Sequence, residues 1–285
     1  IAWDNGNGAA GDVLSDIVAK IPGKHVTLFQ DIDGTFPNHH PDPTVDKNMV
    51  DLQKAVRENK CDLGIAFDGD GDRIGVIDEN GDILRCDTLL ALYAAEIIAE
   101  RPGAPIIGDV KCSQIMFDEI ERLGGTPVMW KTGHSLVKAK MAETKAPLAG
   151  ELSGHIFFAD KYYGFDDALY CAVRLINIVA KAKGGLSSLT KHLPKTHSTP
   201  EIRVDVPEAE KFKIVPKIIA AMKDNKNVEL SDIDGIRVKT TEGWWLVRPS
   251  NTQSCLSVRA EGNSPQALAA LKAMAVEQLE KLGYS

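Results

Sequence analysis

The chain lacks most of what marks a secreted, membrane-spanning or nucleic-acid-binding protein. Its five cysteines, at 61, 86, 112, 171 and 255, are odd in number and never form a C-x-x-C pair. A zinc ribbon and a disulfide framework are therefore not expected, and a reducing, cytoplasmic setting is. Positive charge is in the minority: 33 Lys and Arg against 40 Asp and Glu give a net charge of −7. That leaves no basic footprint for nucleic acid, and an anionic ligand has to be met by local positive charge. The longest apolar run, "LLALYAAEIIA", is too short and too interrupted to span a bilayer, so no membrane partner is expected. No secretory segment is read either, and the chain opens "IAWDNGNG", without methionine, in what reads as the middle of a strand. What is present is ordinary for a globular protein, at 44% apolar and 26% charged residues, and a length of 285 exceeds a single core.

Short apolar runs alternate with helical patterns over the first two hundred residues. "IAW", "HVTLF" and "CDLGIAF" read as strands, with helices in "GNGAAGDVLSDIVAKI" and "VDKNMVDLQKAVREN" between them. "RIGVID" and "DILR" read as a hairpin about "ENGD". A second series follows: helix 88–100, strand "APIIGDV", helix 113–123, strand "TPVMW", helix 135–144, strand "PLAGEL" and a long helix from Asp166 to Lys183. Such alternation predicts mixed, mainly parallel sheets covered by helices. From Glu201 the pattern becomes strand, helix 212–223, three strands ("VELSDIDGIRVKT", "GWWLVRPS", "CLSVRAEG") and a last amphipathic helix. The fold class expected is α/β: two consecutive α/β domains, residues 1–82 and 83–194, then a small α+β domain over 195–285.

Several short motifs compete for attention. "GNGAAG" fits the dinucleotide-binding pattern G-x-G-x-x-G, but a tight strand-to-helix turn explains it as well. "LFQDIDGTF" and "GFDDAL" imitate the motifs of haloacid dehalogenase-like phosphatases, with Asp31 as nucleophile; a polar, proline-rich loop is the plainer account. His39 and His40 read as part of a polar turn. "DGDGDRIGVIDE" spaces acids like a calcium hand, yet Arg73 stands where the sharp turn wants glycine, and both flanks are strand-like.

The stretch "AFDGDGDRIG" is harder to dismiss. Asp68, Asp70 and Asp72 alternate with glycines, so that their side chains fall on one side of a turn after an apolar strand. Three carboxylates there form a compact hard-oxygen site of the kind Mg2+ prefers. Other stretches supply what a magnesium–phosphate site needs. Lys111 in "DVKC" ends a strand, where α/β sheets bind ligands. His134 and Ser135 in "KTGHS" begin a helix whose amides can meet an anion. "GELSGH" combines Glu151 and Ser153, suited to sugar hydroxyls, with His155, suited to proton transfer. "RPSNTQS" offers Arg248, Ser250, Asn251 and Thr252 between two β runs, enough to surround a phosphate dianion.

Together, "FDGDGDR", "KTGHS", "GELSGH" and "RPSNT", in this order and spacing, closely resemble the α-D-phosphohexomutases, in their bacterial phosphomannomutase/phosphoglucomutase branch. The resemblance implies Mg2+ on Asp68, Asp70 and Asp72, sugar hydroxyls on Glu151 and Ser153, and the phosphate of a hexose phosphate substrate on Arg248, Ser250, Asn251 and Thr252. Lys111, His134 and His155 match positions that contact substrate or assist proton transfer, and Arg73 adjoins the metal loop. The activity implied is reversible phosphate transfer between C6 and C1 of mannose or glucose phosphates, through a phosphoserine and a bisphosphorylated sugar. Two departures stand out. Gln253 and Ser254 replace a common Glu-Pro, and no "TASHNP"-like phosphoserine loop occurs. The expectation is therefore a chain without the family's N-terminal phosphoserine domain, inactive as a mutase alone. A haloacid dehalogenase-like phosphatase and a non-catalytic sugar-phosphate-binding protein are the alternatives.

Overall fold

The structure, a computed structural model, describes residues 1–251 and 253–284. By compactness these fall into two units, one of residues 1–128 with 133–193, the other of 129–132 with the chain from Pro194 onward.

The first unit contains two sheets. In one, β1 (Ala2–Asp4) lies parallel to both β2 (Val26–Leu28) and β3 (Leu63–Phe67). Two antiparallel steps then add β4 (Ile74–Asp78) and β5 (Ile83–Leu84), giving the order β2-β1-β3-β4-β5. The residues of β3, "LGIAF", are all buried, as a strand covered on both faces must be. Helix α1 (Gly11–Val18) follows β1, and α2 (Val50–Asn59) precedes β3. Leu52, Ala55 and Val56 of α2 pack with Ala2, Ala66 and Ile77 of the sheet in one core. The helix expected over 45–59 begins as a 3-10 turn, Asp46–Met49, before α2. The second sheet, ordered β7-β6-β8-β9, comprises β6 (Pro105–Asp109), β7 (Thr126–Trp130), β8 (Leu148–Gly150) and β9 (Ile156–Phe158). Its helices are α3 (Cys86–Glu100), α4 (Gln114–Arg122), α5 (His134–Thr144), α6 (Ala168–Lys181) and the short α7 (Gly185–Thr190). Ser113 and Asp167 cap α4 and α6 by accepting the Ile115 and Tyr170 amides. Helix α3 shows no narrow apolar stripe because most of its circumference is buried, from Leu89 and Leu90 round to Tyr93 and Ile97.

The second unit is α+β. Strands β10 (His197–Ser198), β11 (Ile202–Asp205), β12 (Glu229–Ser231), β13 (Ile236–Thr240), β14 (Gly243–Pro249) and β15 (Cys255–Gly262) pair antiparallel throughout. Helices α8 (Lys211–Met222) and α9 (Pro265–Glu280) lay Ile214, Ile218, Leu271 and Leu279 into a core with Val238, Trp245, Val247 and Val258. One expectation needs correction: "VELSDIDGIRVKT" is a hairpin of β12 and β13 and not a single strand. The turn "DIDG" reverses the chain at Gly235, whose φ of +90° few other residues adopt.

Gly8 of "GNGAAG" packs against the aspartate turn. A Cβ on Gly8 would sit 2.9 Å from the Asp68 carbonyl oxygen and 3.0 Å from that of Gly69, and the Ala9 amide donates to the latter at 2.8 Å. The 30–45 loop closes over the same strand ends. His39 Nε2 lies 3.0 Å from Asp4 Oδ2, whereas His40 is exposed. The Asp4 hydrogen bond raises the His39 pKa to about 9 despite partial burial. A folded value above the ordinary 6.5 means the pair stabilises fully below about pH 6.5, and its contribution is lost as pH rises through about 9. His39→Gln is expected to lower the unfolding free energy by about 1.5 kcal/mol at pH 6 and by far less at pH 10. Urea unfolding at the two pH values checks this, and equal losses at both would contradict it.

Candidate metal and phosphate sites

The aspartate turn is built around one carboxylate. Asp68, buried at the end of β3, accepts the backbone amides of Gly71, Asp72 and Arg73 on Oδ1, at 3.1, 3.1 and 3.0 Å. Its Oδ2 accepts Arg73 Nε at 2.7 Å, and Arg73 Nη1 reaches Asp42 at 3.3 Å. Burial alone would raise the Asp68 pKa, but the Arg73 amide and guanidinium outweigh it and hold the group ionised. Asp70 is exposed and Asp72 half-buried, yet one oxygen from each of the three carboxylates can be found within 4.8 Å of the others. Burial, then the charges of Asp68, Asp70 and Asp166, push Asp72 up to about 6 against the pull of His155. Asp72 Oδ1 is buried without a hydrogen-bond partner among the described residues. Converging hard oxygens, one of them orphaned, fit a divalent cation.

The second sheet brings its loops to the same place. The Ile74 amide donates to the Gly154 carbonyl at 3.1 Å, and Arg73 and His155 form a β-bridge. His155 Nδ1 consequently lies 3.5 Å from Asp72 Oδ1 and 3.0 Å from Asp166 Oδ2. Burial opposes protonation of His155, but Asp166, Asp72 and Glu151 more than compensate and raise its pKa. The His134 ring stacks on that of His155 with centroids 6.1 Å apart, while Ser135 is exposed in the first turn of α5. Glu151 is buried, accepts the Gly133 amide on Oε1, and receives the Ser153 hydroxyl on Oε2 at 3.4 Å. Burial and the Asp109 charge raise its pKa. Lys111 is buried at the carboxyl end of β6, with Nζ 3.9 Å from Asp109 Oδ2. These sequence-predicted residues thus form one constellation in the first unit.

Arg248, Ser250 and Asn251 belong to the second unit. Arg248 is buried in β14 and donates from Nε to Asp234 at 2.9 Å; its Nη2 is buried with no partner among the described residues. Ser250 donates its amide to the Cys255 carbonyl and accepts the Gln253 amide on Oγ at 3.2 Å. Asn251 is exposed, and Thr252 lies outside the described residues. Lys211, 2% exposed, donates to the Gln253 carbonyl at 3.1 Å and pairs with Glu208 at 2.8 Å, whose other oxygen accepts Ser254 Oγ.

Sequence reasoning missed several participants. Asp166 pairs with both His155 and Lys138, and Asp42 and Asp109 pair with Arg73 and Lys111. The acids of "GFDDAL" were a visible signal for Asp166, read only as a phosphatase imitation. The carboxylate of Asp31, the nucleophile of that rival, is exposed, and neighbouring Asp33 is engaged by the amide and hydroxyl of Thr35. Glu79, the last position of the calcium-hand spacing, accepts Ser187 instead.

The chain is similar to known proteins along nearly its whole length. Sequence models of phosphoglucomutase/phosphomannomutase alpha/beta/alpha domain II, alpha/beta/alpha domain III and the C-terminal domain match residues 1–81, 85–197 and 201–278. The chain is 45% identical over 272 residues to the phosphomannomutase/phosphoglucomutase of Pseudomonas putida, covering 95% of this chain and 58% of that protein. A crystal structure of a phosphoglucomutase/phosphomannomutase family protein from Burkholderia thailandensis superposes with a TM-score of 0.91 at 43% identity, over 98% of this chain and 60% of the other. The Aspergillus fumigatus N-acetylphosphoglucosamine mutase, solved in complex with GlcNAc-6P and magnesium, shares the fold (TM-score 0.70, 16% identity, 97% of this chain and 65% of that one). The chain spans about 58–60% of the length of the two closer relatives. With its three domain matches in the family's order, the chain belongs to the phosphoglucomutase/phosphomannomutase family.

Proposed function

We propose that these residues form the metal, sugar and phosphate sites of a phosphohexomutase, which moves phosphate between C6 and C1 of mannose or glucose phosphates. The observation that carries this reading is the meeting of the aspartate turn with the "GELSGH" loop, where His155 stands 3.5 Å from Asp72. Residues 1–82, 83–194 and 195–285 are taken as the metal-binding, sugar-binding and phosphate-binding domains, a division supported by the three family matches.

In this reading Asp68, Asp70 and Asp72 hold Mg2+, which when bound supplies charge neutralisation for a migrating phosphoryl group. The chain's own residues do the rest. Asp68 and Arg73 fix the turn before any ligand arrives, so little reorganisation is left for the reaction. Glu151 and Ser153 accept and donate hydrogen bonds to sugar hydroxyls. His155 keeps Nδ1 toward its carboxylates, which leaves Nε2 to exchange a proton with the attacking hydroxyl; Lys111, cationic at the strand end, assists. Arg248 offers its Nη2 hydrogens, unpaired among the described residues, to the phosphate that does not react; Ser250, Asn251 and Thr252 are assigned to the same phosphate from the sequence motif. The phosphoryl-carrying serine is proposed to lie outside residues 1–285, a reading supported by the share of its relatives that the chain spans.

Three outcomes are expected. In a protein of full family length, Asp70→Asn should cut magnesium-dependent conversion of glucose 1-phosphate by about 100-fold or more, beyond the usual cost of losing an outer-sphere partner. Its melting temperature should hold, because Asp70 is exposed. Turnover near wild type would sink the metal assignment. The purified 285-residue chain should show no conversion, and measurable conversion would place the phosphoryl carrier within it. Arg248→Lys should raise KM for the sugar phosphate about tenfold by removing a charge-assisted hydrogen bond; an unchanged KM would remove Arg248 from the phosphate site.

A further inference from the structure

Beside the aspartate turn is a second cluster with a different donor set. Asp72, His155 and Asp166 come from three separate segments, the turn before β4, the residue just before β9 and the loop before α6. One ligand atom from each lies within 4.8 Å of the other two. Asp72 Oδ1, His155 Nδ1 and Asp166 Oδ2 are each buried; among the described residues Asp72 Oδ1 has no hydrogen-bond partner, and Nδ1 and Asp166 Oδ2 face each other at 3.0 Å. Asp166 is held by its other oxygen, Oδ1, on Lys138 at 3.2 Å, and its side chain is only 8% exposed.

The geometry sets a problem that protons solve only in part. Nδ1 carries either one hydrogen or one lone pair, whereas two carboxylate oxygens face it, at 3.0 and 3.5 Å. A single N–H can satisfy only one of them well, and the other stays buried beside like charge. A cation bonded to all three atoms satisfies every one. An imidazole nitrogen with two carboxylates is a set for borderline transition ions such as Zn2+, whereas Mg2+ favours an all-oxygen shell. Three protein ligands also leave a fourth position for water or a phosphate oxygen.

We propose that Asp72, His155 and Asp166 form a zinc-type site distinct from the magnesium turn and sharing only Asp72 with it. The two sites compete through that residue. Asp72 turned toward Asp68 and Asp70 completes the hard site, and turned toward His155 it completes the softer one. Zinc bound there withdraws both a magnesium ligand and a proton-transfer group. The proposal rests on the preceding reading only in assigning Asp72 to magnesium; zinc binding is measured without sugar phosphate, so either can fail while the other stands.

The test is calorimetric titration of the purified 285-residue chain with ZnCl2, for wild type, His155→Gln, Asp166→Asn and Asp70→Asn, with circular dichroism to confirm folding. Losing a direct ligand should weaken zinc binding by more than the ~10–100-fold that loss of an outer partner costs. That loss is expected in His155→Gln and Asp166→Asn, while Asp70→Asn stays near wild type. If Asp70→Asn weakens zinc as much as His155→Gln does, zinc sits in the aspartate turn and the proposal fails. Anomalous diffraction at the zinc edge from soaked wild-type crystals gives a second reading that needs no variant. A peak at bonding distance from Nδ1 is expected; one confined to Asp68 and Asp70, or none, overturns the proposal.

Discussion

Much of the first unit depends on the carboxylate of Asp68 being filled. Three acids in five residues repel one another, by roughly 4 kcal/mol per pair at about 4 Å and an effective dielectric of about 20. The turn persists because the innermost acid is neutralised internally, by three backbone amides on one oxygen and the Arg73 guanidinium on the other. Arg73 then serves twice more: its Nη1 fastens the 30–45 loop through Asp42, and its backbone bridges to His155. One ion pair thereby sets the spacing between the aspartate turn on one sheet and the "GELSGH" loop on the other.

The division of labour among the acids follows from burial. Asp68 is buried and held ionised by Arg73 and the amides of its own turn. Asp70 is exposed and available. Asp72 stands between, its pKa pushed up to about 6 by burial and the surrounding negative charge. Spacing alone makes the three look equivalent; the hydrogen bonds make them unequal.

The alternation of apolar runs and helical periods makes both α/β sheets and the antiparallel third sheet legible in the sequence, because each face repeats a physical requirement at every turn of the chain. The aspartate turn was legible for the same reason, since period-two spacing puts Asp68, Asp70 and Asp72 on one side. What stayed hidden was of two kinds. Short elements such as β9, β10 and α7 carry too few residues for a period to emerge. Partners distant in sequence, such as Asp166 for His155 or Asp109 for Lys111, leave no local trace, because their choice is made by the sheet order. The hairpin of β12 and β13 was readable at Gly235 but was masked by a continuous run of strand-forming residues on either side.

In the second unit, Lys211 anchors the "RPSNTQS" segment by the carbonyl of Gln253, an atom that every residue type presents. Its counter-ion Glu208 reaches across to the Ser254 hydroxyl. A tether made to main chain is indifferent to what the side chain is. A change of side chain at Gln253 therefore leaves the anchor point beside Arg248 and Ser250 in place, because the tether needs only the carbonyl that any residue there would carry.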